Sequence, residues 1–301
     1  MWLVAIAAAV PATAQQLEPR AYSPSPVGTN FFGLAYANSS GNVVFDPSLP
    51  FTNVSANVNG IAALYVHTFG LFGRSASIGA SLPYSWGEVE GDVGETFRRI
   101  TRSGFADAGL RFVCNIVGGP ALSPYEFAAR KPSTTFGASL TVTAPTGEYD
   151  PSKLINLGTN RWAFKPELGV AQPLGKFWLE FFAGAWFFTT NHDFYGGNTR
   201  QQDPLTSVQA HVSYTFRPRL WLALDGTWYG GGQTTVDGVV NADRQANTRL
   251  GLMLAVPVSK AQSLKFGYAR GASTRVGSKL DTISVAWQFF WFDRPAKPKA
   301  G

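Results

Sequence analysis

The residues of this chain best suited to chemistry are charged and aromatic side chains that recur at every second position. Arg161, Lys165 and Glu167 share one parity of a segment whose other parity is apolar. The next segment repeats the pattern, with Trp178 and Glu180 on one parity. Side chains at every second residue of a β-strand point to the same face, so these groups would line one surface. Such a surface can bind or guide a solute through ion pairs, hydrogen bonds and ring contacts.

Motifs for catalysis or cofactor binding are absent from the sequence. It contains no G-x-S-x-G, H-E-x-x-H, G-x-G-x-x-G or G-x-x-x-x-G-K-[ST] pattern. The three histidines, His67, His192 and His211, are far apart, and none has the spacing of a metal-ligand pair. The single cysteine, Cys114, excludes an intramolecular disulfide and a cysteine-rich metal site. We therefore predict no enzyme activity, no cofactor and no metal.

The stretch Thr134–Gly169 indicates which elements position the charged and aromatic side chains. From Phe136 to Ala144 apolar residues alternate with glycine, serine and threonine, and after a polar loop the chain returns on a second alternating segment. A soluble sheet that packs on one core seldom places several charges opposite so aromatic a face. A membrane barrel does so, because lipid contacts the apolar parity and a watery lumen contacts the charges. The stretch is therefore predicted to form two antiparallel strands of a transmembrane barrel.

Most of the chain follows the same pattern. About twelve alternating segments can be counted, each near the roughly ten residues that a tilted membrane-spanning strand requires. Aromatic residues are abundant, with 9 Trp, 10 Tyr and 23 Phe, yet the mean hydropathy is only -0.02. Outside the N-terminus no apolar run reaches ~18 residues, which argues against membrane-spanning helices. The predicted fold class is all-β: a transmembrane antiparallel up-and-down β-barrel of about 12 strands, with short periplasmic turns and longer external loops.

The N-terminus has the features of a secretory signal peptide. An apolar run from Trp2 to Val10 is followed by a proline and by the A-x-A cleavage pattern Ala12-Thr13-Ala14. The predicted organisation is a signal peptide at 1–14, a periplasmic lead-in or plug at 15–28, the barrel at 29–292 and a basic periplasmic tail at 293–301.

The connector Gly118–Pro132 is longer than the other predicted periplasmic turns. Within it Ser123 is followed three residues later by Glu126, which is the spacing of a capping box at a helix N-terminus. The spacing predicts a small helix at the periplasmic rim; the alternative is an irregular turn.

The inward parities of the predicted strands define a set of lumen residues. About twelve strands lie between eight-stranded barrels, whose side chains fill the interior, and roughly sixteen-stranded porins with an aqueous channel, so the lumen should be narrow. Opposed charges in it either pair with each other or bind a solute. Its rings either line a path for planar apolar solutes or pack together as a plug. The candidates are Tyr65, Asp107, Arg111, Arg161, Lys165, Glu167, Trp178, Glu180, Phe182, Trp186, His211, Trp221, Asp225, Arg249 and Lys265.

Two segments of the chain resemble a known family. They are GPALSPYEFAAR and TVTAPTGEYDPSKLINLGTNRWAFKPELGVAQPLGKFWLEFFAGAWFFTTN, and the similarity is densest between Gly119 and Asn191. In these segments the chain resembles the phenol-degradation meta-pathway (MetA-pathway) transporter family of Gram-negative outer membranes. The resemblance implies an outer-membrane barrel, often encoded beside aromatic-catabolism genes, that passes hydrophobic or aromatic compounds.

The expected function is passive uptake of small hydrophobic or aromatic compounds through an outer-membrane channel. The expected partners are outer-membrane lipid, small apolar or aromatic solutes, and the barrel assembly machinery. The aromatic strand that ends at Phe292 resembles the C-terminal signal that this machinery recognises. The net charge is +6, but the basic residues are scattered and form no basic helix, which argues against nucleic-acid binding.

Two alternatives stay open at this point. One is a structural barrel that anchors loops or partners and conducts nothing. The other is an outer-membrane phospholipase, an enzyme class that places Ser, His and Asn on the outer wall of a barrel. His67 and His211 both fall on the predicted inward parity, and neither has an identifiable lipid-facing serine partner.

Overall fold

The computed structural model of the 301-residue chain describes residues 19–44 and 51–293. Within these two ranges no helix is long and apolar enough to cross a membrane. The predicted signal peptide at 1–14, the first residues of the predicted lead-in at 15–18, and residues 294–301 of the predicted tail lie outside the described residues.

Seventeen strands and one short helix make up the described part of the chain. In chain order they are β1 (Thr29–Val44), β2 (Phe51–Leu71), β3 (Arg74–Val93), β4 (Thr96–Phe105), β5 (Gly109–Val117), α1 (Pro124–Ala129), β6 (Thr135–Thr143), β7 (Ala163–Leu174), β8 (Phe177–Phe188), β9 (Asn191–Phe194), β10 (Asn198–Gln202), β11 (Leu205–Arg217), β12 (Leu220–Gly231), β13 (Thr234–Val236), β14 (Val239–Val240), β15 (Gln245–Pro257), β16 (Gln262–Ser273) and β17 (Gly277–Phe292).

Thirteen of these segments form one closed antiparallel barrel. β4 and β5 pair with successive parts of β3 and together count as one strand of the wall, so the barrel has twelve spanning strands. β1 pairs with β17 on one side and with β2 on the other, and β2 pairs with β3, which closes the sheet on itself. Closure is required because a strand edge facing lipid would leave backbone groups without hydrogen bonds. The predicted fold class is confirmed.

The two faces of the wall differ as the alternation predicts. In β8 the outward side chains of Phe177, Phe181 and Phe187 are 48%, 49% and 46% exposed. The inward side chains of Phe182 and Trp186 on the same strand are only 1% and 5% exposed. An exposed apolar face of this kind is the lipid-contacting surface of a transmembrane barrel, and the opposite face forms the lumen.

The wall has an interruption that the sequence does not reveal. The alternation predicts an unbroken strand over Ser103–Val117, whereas the structure breaks it at residues 106–108, between β4 and β5. Pro83 lies opposite the break on β3 and has no N–H to donate, although its carbonyl accepts from the Ala106 N–H at 3.0 Å. The Ala108 N–H donates instead to Thr146 Oγ1 at 2.9 Å, in the following loop. The strand is therefore replaced locally by contacts to a remote segment.

The predicted rim helix is present as α1. The Ser123 side chain accepts from the Glu126 N–H, and the Glu126 carboxylate accepts from the Ser123 N–H at 2.9 Å, which completes the capping box. The same connector contacts the start of the described chain, because the Val27 N–H donates to the Leu122 carbonyl at 2.9 Å. The N-terminal segment and α1 therefore lie at one rim, which the predicted topology makes the periplasmic one.

Candidate functional site

The residues that precede β1 enter the barrel, and we call residues 19–28 the lead-in segment. Tyr22 on this segment is fully buried inside the barrel. Its hydroxyl lies 2.9 Å from Ser139 Oγ and 3.2 Å from Glu167 Oε1, and its ring meets the edge of Phe182 with centroids 4.9 Å apart. The lead-in segment thus occupies part of the lumen beside β6, β7 and β8.

Two glycines of the wall make room for the Tyr22 ring. A Cβ atom at Gly169 would lie 2.3 Å from Tyr22 Cε2 and 2.9 Å from Phe182 Cδ1. A Cβ atom at Gly137 would lie 2.6 Å from Tyr22 Cδ1. All three distances are shorter than real Cβ contacts. These two strand glycines therefore allow the Tyr22 ring to approach the wall closely; backbone flexibility is not their role.

Arg20 anchors the lead-in segment beside the inward faces of β8, β11 and β12. Its guanidinium carbon lies 4.7 Å from the Trp221 ring centroid and 5.8 Å from that of Trp178. The guanidinium also donates to Thr215 Oγ1 at 2.6 Å, and the Arg20 backbone N–H donates to Glu180 Oε2 at 2.8 Å. The predicted lumen residues Trp178, Glu180 and Trp221 therefore face the lumen, and there they contact the lead-in segment.

Glu167 is the centre of a buried polar cluster. Lys165 Nζ and Gln209 Nε2 donate to one of its carboxylate oxygens at 2.5 Å and 3.1 Å. Arg111 Nη2 lies 3.4 Å from the other oxygen, to which the Tyr22 hydroxyl also donates. The structure thus brings the predicted residues Arg111, Lys165 and Glu167 together as a mutually paired network. Surrounded by these donors, the Glu167 carboxylate is satisfied inside the barrel.

His211 on β11 and Asp225 on β12 form a second buried pair. The two residues are directly opposite in the strand register, and His211 Nδ1 lies 2.6 Å from Asp225 Oδ1. The His211 ring also packs against Phe182, with centroids 4.9 Å apart. These three predicted lumen residues therefore pack together, and the Phe182 ring contacts both His211 and Tyr22.

The external half of the lumen is covered by residues 144–162, which we call the inward loop. Asp107, in the break between β4 and β5, accepts from the Gly147 N–H at 2.9 Å. It also accepts from the Thr159 N–H at 2.9 Å and from Thr159 Oγ1 at 2.6 Å. Arg102 Nε donates to the Ile155 carbonyl at 2.8 Å. The loop is thereby held against the inner side of the interrupted wall.

Two external hairpins pair with each other as a four-stranded sheet, formed by β9, β10, β13 and β14, which we call the external sheet. Asn160 Nδ2 donates to Asn191 Oδ1 at 3.0 Å and so ties the inward loop to the first strand of this sheet. Arg161 donates to the side-chain oxygen of Gln202, and Gln202 Nε2 donates to the Gly232 carbonyl at 2.8 Å. The inward loop and the external sheet form one connected cover.

Two cavities lie along the lumen. The external cavity, about 200 Å³, is enclosed by the inward loop, the external sheet and the outer ends of β8, β12 and β15. The inner cavity, about 240 Å³, lies beside Ala21 of the lead-in segment and the lumen faces of β2, β3 and β5 to β8. Thr143, Trp186 and Tyr229 line both cavities and therefore form the boundary between them.

Tyr229 is a lumen residue that the sequence analysis missed. It is buried against Trp186 in an apolar cluster that also contains Leu205. Tyr229 continues the inward parity of Trp221 and Asp225, so extending the alternation of β12 by two repeats would have identified it. The sequence analysis also missed Tyr22 and Arg200, which lies on β10 and lines the external cavity. Neither carried such a signal, because neither belongs to an alternating wall strand.

Tyr65 was predicted to face the lumen, and this prediction is wrong. Its side chain is 42% exposed on the outer face, whereas its neighbours Leu64 and Val66 line the inner cavity. His67 shares the parity of Tyr65 and so also lies on the outer side, with Nδ1 3.0 Å from Asn30 Oδ1. The error has a simple cause: β2 carries apolar side chains on both parities, so the alternation does not distinguish its faces.

The remaining predicted residues lie on the lumen side. Asp107 and Arg161 line the external cavity together with Trp186 and Arg249. Arg249 is buried on β15 and donates to Thr282 Oγ1 at 3.0 Å. Lys265 is half-buried on the inward parity of β16.

Comparison with known proteins supports the fold independently. A family model described as "Putative MetA-pathway of phenol degradation" matches residues 35–289 of this chain. The COG4313 outer membrane channel from Pseudomonas putida F1 has a similar structure, with a TM-score of 0.74 and 22% sequence identity over 92% of this chain and 100% of that one. No curated protein sequence matches the chain.

Two autotransporter barrels are more distantly similar in structure. The β domain of the Bordetella autotransporter BrkA has a TM-score of 0.53 and 11% identity, over 88% of this chain and 100% of that one. The transport unit of the autotransporter AIDA-I from Escherichia coli has a TM-score of 0.50 and 11% identity, over 93% of each chain. At these identities the similarity concerns the fold alone.

Proposed function

The chain belongs to the MetA-pathway family of phenol degradation, and we propose that its barrel is a passive channel for small hydrophobic or aromatic compounds. It lies in the outer membrane of a Gram-negative bacterium, with its exposed apolar face against outer-membrane lipid. The observation that carries the proposal is the pair of lumen cavities that meet at Trp186 and Tyr229. Both rings are buried in the barrel interior, where a planar solute can contact them.

The chemistry of the lumen supports a route for aromatic solutes more than one for inorganic ions. In the inner half, Glu167 forms ion pairs with both Lys165 and Arg111, so its carboxylate is already occupied by protein partners. The external cavity is bordered by the rings of Phe188 and Phe194 in addition to the boundary residues. Apolar and aromatic walls with a few placed polar groups are typical of sites for small organic ligands.

We propose that the lead-in segment, which is the described part of the predicted lead-in or plug at 15–28, acts as a resident plug that restricts the periplasmic half of this route. The support for this proposal is the burial of Tyr22 beside Gly137 and Gly169 and the contacts of Arg20 with Trp178 and Trp221. Together with the narrow twelve-stranded wall, the segment makes general diffusion of large polar solutes unfavourable.

Replacing Trp186 by alanine is expected to reduce uptake of labelled phenol or toluate by intact cells roughly two- to tenfold at low concentration. The reason is that a ring contact of this kind contributes about 0.5–1.5 kcal/mol beyond burial. Trp228→Ala is the matched control, because Trp228 lies on β12 with its side chain exposed on the lipid face. Both variants must show the heat-modifiable migration of a folded barrel.

Equal initial uptake rates in cells that carry the Trp186→Ala variant, the Trp228→Ala variant and no protein at all would contradict the proposal. That result would favour the alternative of a barrel that conducts nothing.

A further inference from the structure

The external cavity carries an excess of positive charge. Its lining includes four side chains that are charged at neutral pH, which are three guanidinium groups and one carboxylate: Arg161, Arg200, Arg249 and Asp107. The Asp107 carboxylate already accepts three hydrogen bonds, from Gly147 and Thr159 of the inward loop. The single negative charge is therefore used to hold the loop, and it offsets one of the three positive charges.

Arg161 is the most deeply buried of the positive groups outside the wall strands. It is 8% exposed, it donates to the amide oxygen of Gln202, and its guanidinium carbon lies 4.3 Å from the Phe188 ring centroid. Its Nη1 atom is buried and has no hydrogen-bond partner among the described residues. A buried guanidinium that makes no ion pair among the described residues is costly, because burial removes the water that would otherwise solvate the charge.

Arg200, on β10 of the external sheet, faces the same cavity. Its guanidinium carbon lies 5.2 Å from the Phe194 ring centroid, and its Nε atom is buried without a hydrogen-bond partner among the described residues. Burial and the nearby positive charge of Arg200 together lower the pKa of Arg161 to about 9, although the carboxylate of Asp107 acts in the opposite direction. Burial likewise lowers the pKa of Arg200 to about 10, although the nearby carboxylate of Asp243 acts in the opposite direction. In both cases burial is the largest cause, so both guanidinium groups lie where water solvates a positive charge poorly.

The rest of the cavity suits a single aromatic ring. Trp186, Phe188, Phe194 and Tyr229 border it, together with Leu205. An apolar protein cavity of about 150 Å³ is large enough to bind benzene. The external cavity, at about 200 Å³, therefore has room for one ring and a small polar substituent.

We propose that the external cavity is a binding subsite for a monocyclic aromatic carboxylate. The carboxylate lies between Arg161 and Arg200, whose planar guanidinium groups bind carboxylates through paired hydrogen bonds. The ring packs against Trp186 and Phe194. The inference rests on the proposed function, which it deepens by selecting anionic ring acids over neutral phenols and hydrocarbons as the preferred solutes.

Isothermal titration calorimetry on the purified, folded full-length protein tests the subsite without any variant. Benzoate is expected to bind about tenfold or more tightly than benzamide, a difference of about 1.4 kcal/mol or more, because hydrogen bonds to a charged group are stronger than those to a neutral one. Acetate carries the same charge without the ring and is expected to bind more weakly than benzoate. Equal affinities for benzoate and benzamide would overturn the proposal.

Charge-removing variants locate the binding. Arg161→Gln and Arg200→Gln are each expected to abolish the preference for benzoate over benzamide. Arg244→Gln is the matched control, because Arg244 is an exposed arginine between β14 and β15 on the same external side. An unchanged affinity for benzoate in both cavity variants would also overturn the proposal.

The outcomes separate this inference from the proposed function. Uptake that depends on Trp186, combined with equal binding of benzoate and benzamide, would support the proposed channel and contradict the carboxylate subsite. Binding of benzoate that depends on Arg161 and Arg200, combined with no uptake in cells, would support the carboxylate subsite and contradict the proposed channel.

Discussion

Replacing both Arg20 and Tyr22 by alanine is expected to raise the ion conductance of the barrel severalfold. These two side chains hold the lead-in segment in the lumen through ring contacts, hydrogen bonds and complete burial of the tyrosine. A desolvated cation–π contact contributes about 2 kcal/mol, and burial of a large side chain about 2 kcal/mol. A loss of about 4 kcal/mol shifts the ratio of docked to undocked segment roughly a thousandfold. The measurement is single-channel conductance in planar bilayers.

A single substitution in the wall should have the same result for a steric reason. Gly169→Ala places a Cβ atom 2.3 Å from the Tyr22 ring, so the ring can no longer occupy its position. Gly226→Ala is the control, because a Cβ atom there meets only Leu250 Cδ2 at an ordinary 3.7 Å. If conductance stays at the wild-type level in the Arg20→Ala/Tyr22→Ala variant and in Gly169→Ala alike, the lead-in segment does not restrict the lumen.

Replacing Asp107 by alanine is expected to release the inward loop from the wall. The carboxylate accepts three hydrogen bonds from Gly147 and Thr159, and each bond to a charged group contributes about 1.5 kcal/mol or more. The loss of about 4 kcal/mol of loop docking should make the amides of Gly147 and Thr159 exchange with solvent much faster. It should also weaken binding of aromatic solutes, because the loop encloses the external cavity.

Hydrogen exchange followed by mass spectrometry measures the loop release. Asp203→Ala is the matched control, because Asp203 is an exposed acid just after β10 on the same external side. Exchange of residues 144–162 is expected to stay at the wild-type rate in this control. Wild-type protection of the loop in Asp107→Ala would show that other contacts, such as that of Arg102 with Ile155, suffice to dock it.

The barrel could be predicted from the sequence because its main signal is local. Successive side chains of a strand point to opposite faces, so the alternation along β8 places Phe181 and Phe182 on opposite faces independently of remote parts of the chain. The same signal fails on β2, where Leu64 and Tyr65 are both apolar enough for either face. It also fails at residues 106–108, because the break depends on Pro83 across the sheet and on Thr146 of a remote loop.

The arrangement of the candidate site could be predicted only in part. The alternation placed Arg111, Lys165 and Glu167 on the lumen side. Which of these charges pair depends on the stagger of the barrel strands and on the hydroxyl of Tyr22, which belongs to the lead-in segment and not to the wall. Of the two arginines in the proposed carboxylate subsite, Arg161 could be identified from the sequence, because it lies beside an alternating strand. Arg200 belongs to the external sheet, whose strands are too short for a period to be read.

Block of ion conductance by a small aromatic solute tests the central claim most directly. The purified, detergent-folded protein is inserted into planar bilayers, and phenol or toluate is titrated in. We predict discrete conductance steps that the aromatic solute blocks at concentrations where a non-aromatic alcohol or acid has no effect. The absence of conductance steps from a protein that still shows heat-modifiable migration and β-rich circular dichroism would contradict the claim. Conductance that the aromatic solute does not change would also contradict it.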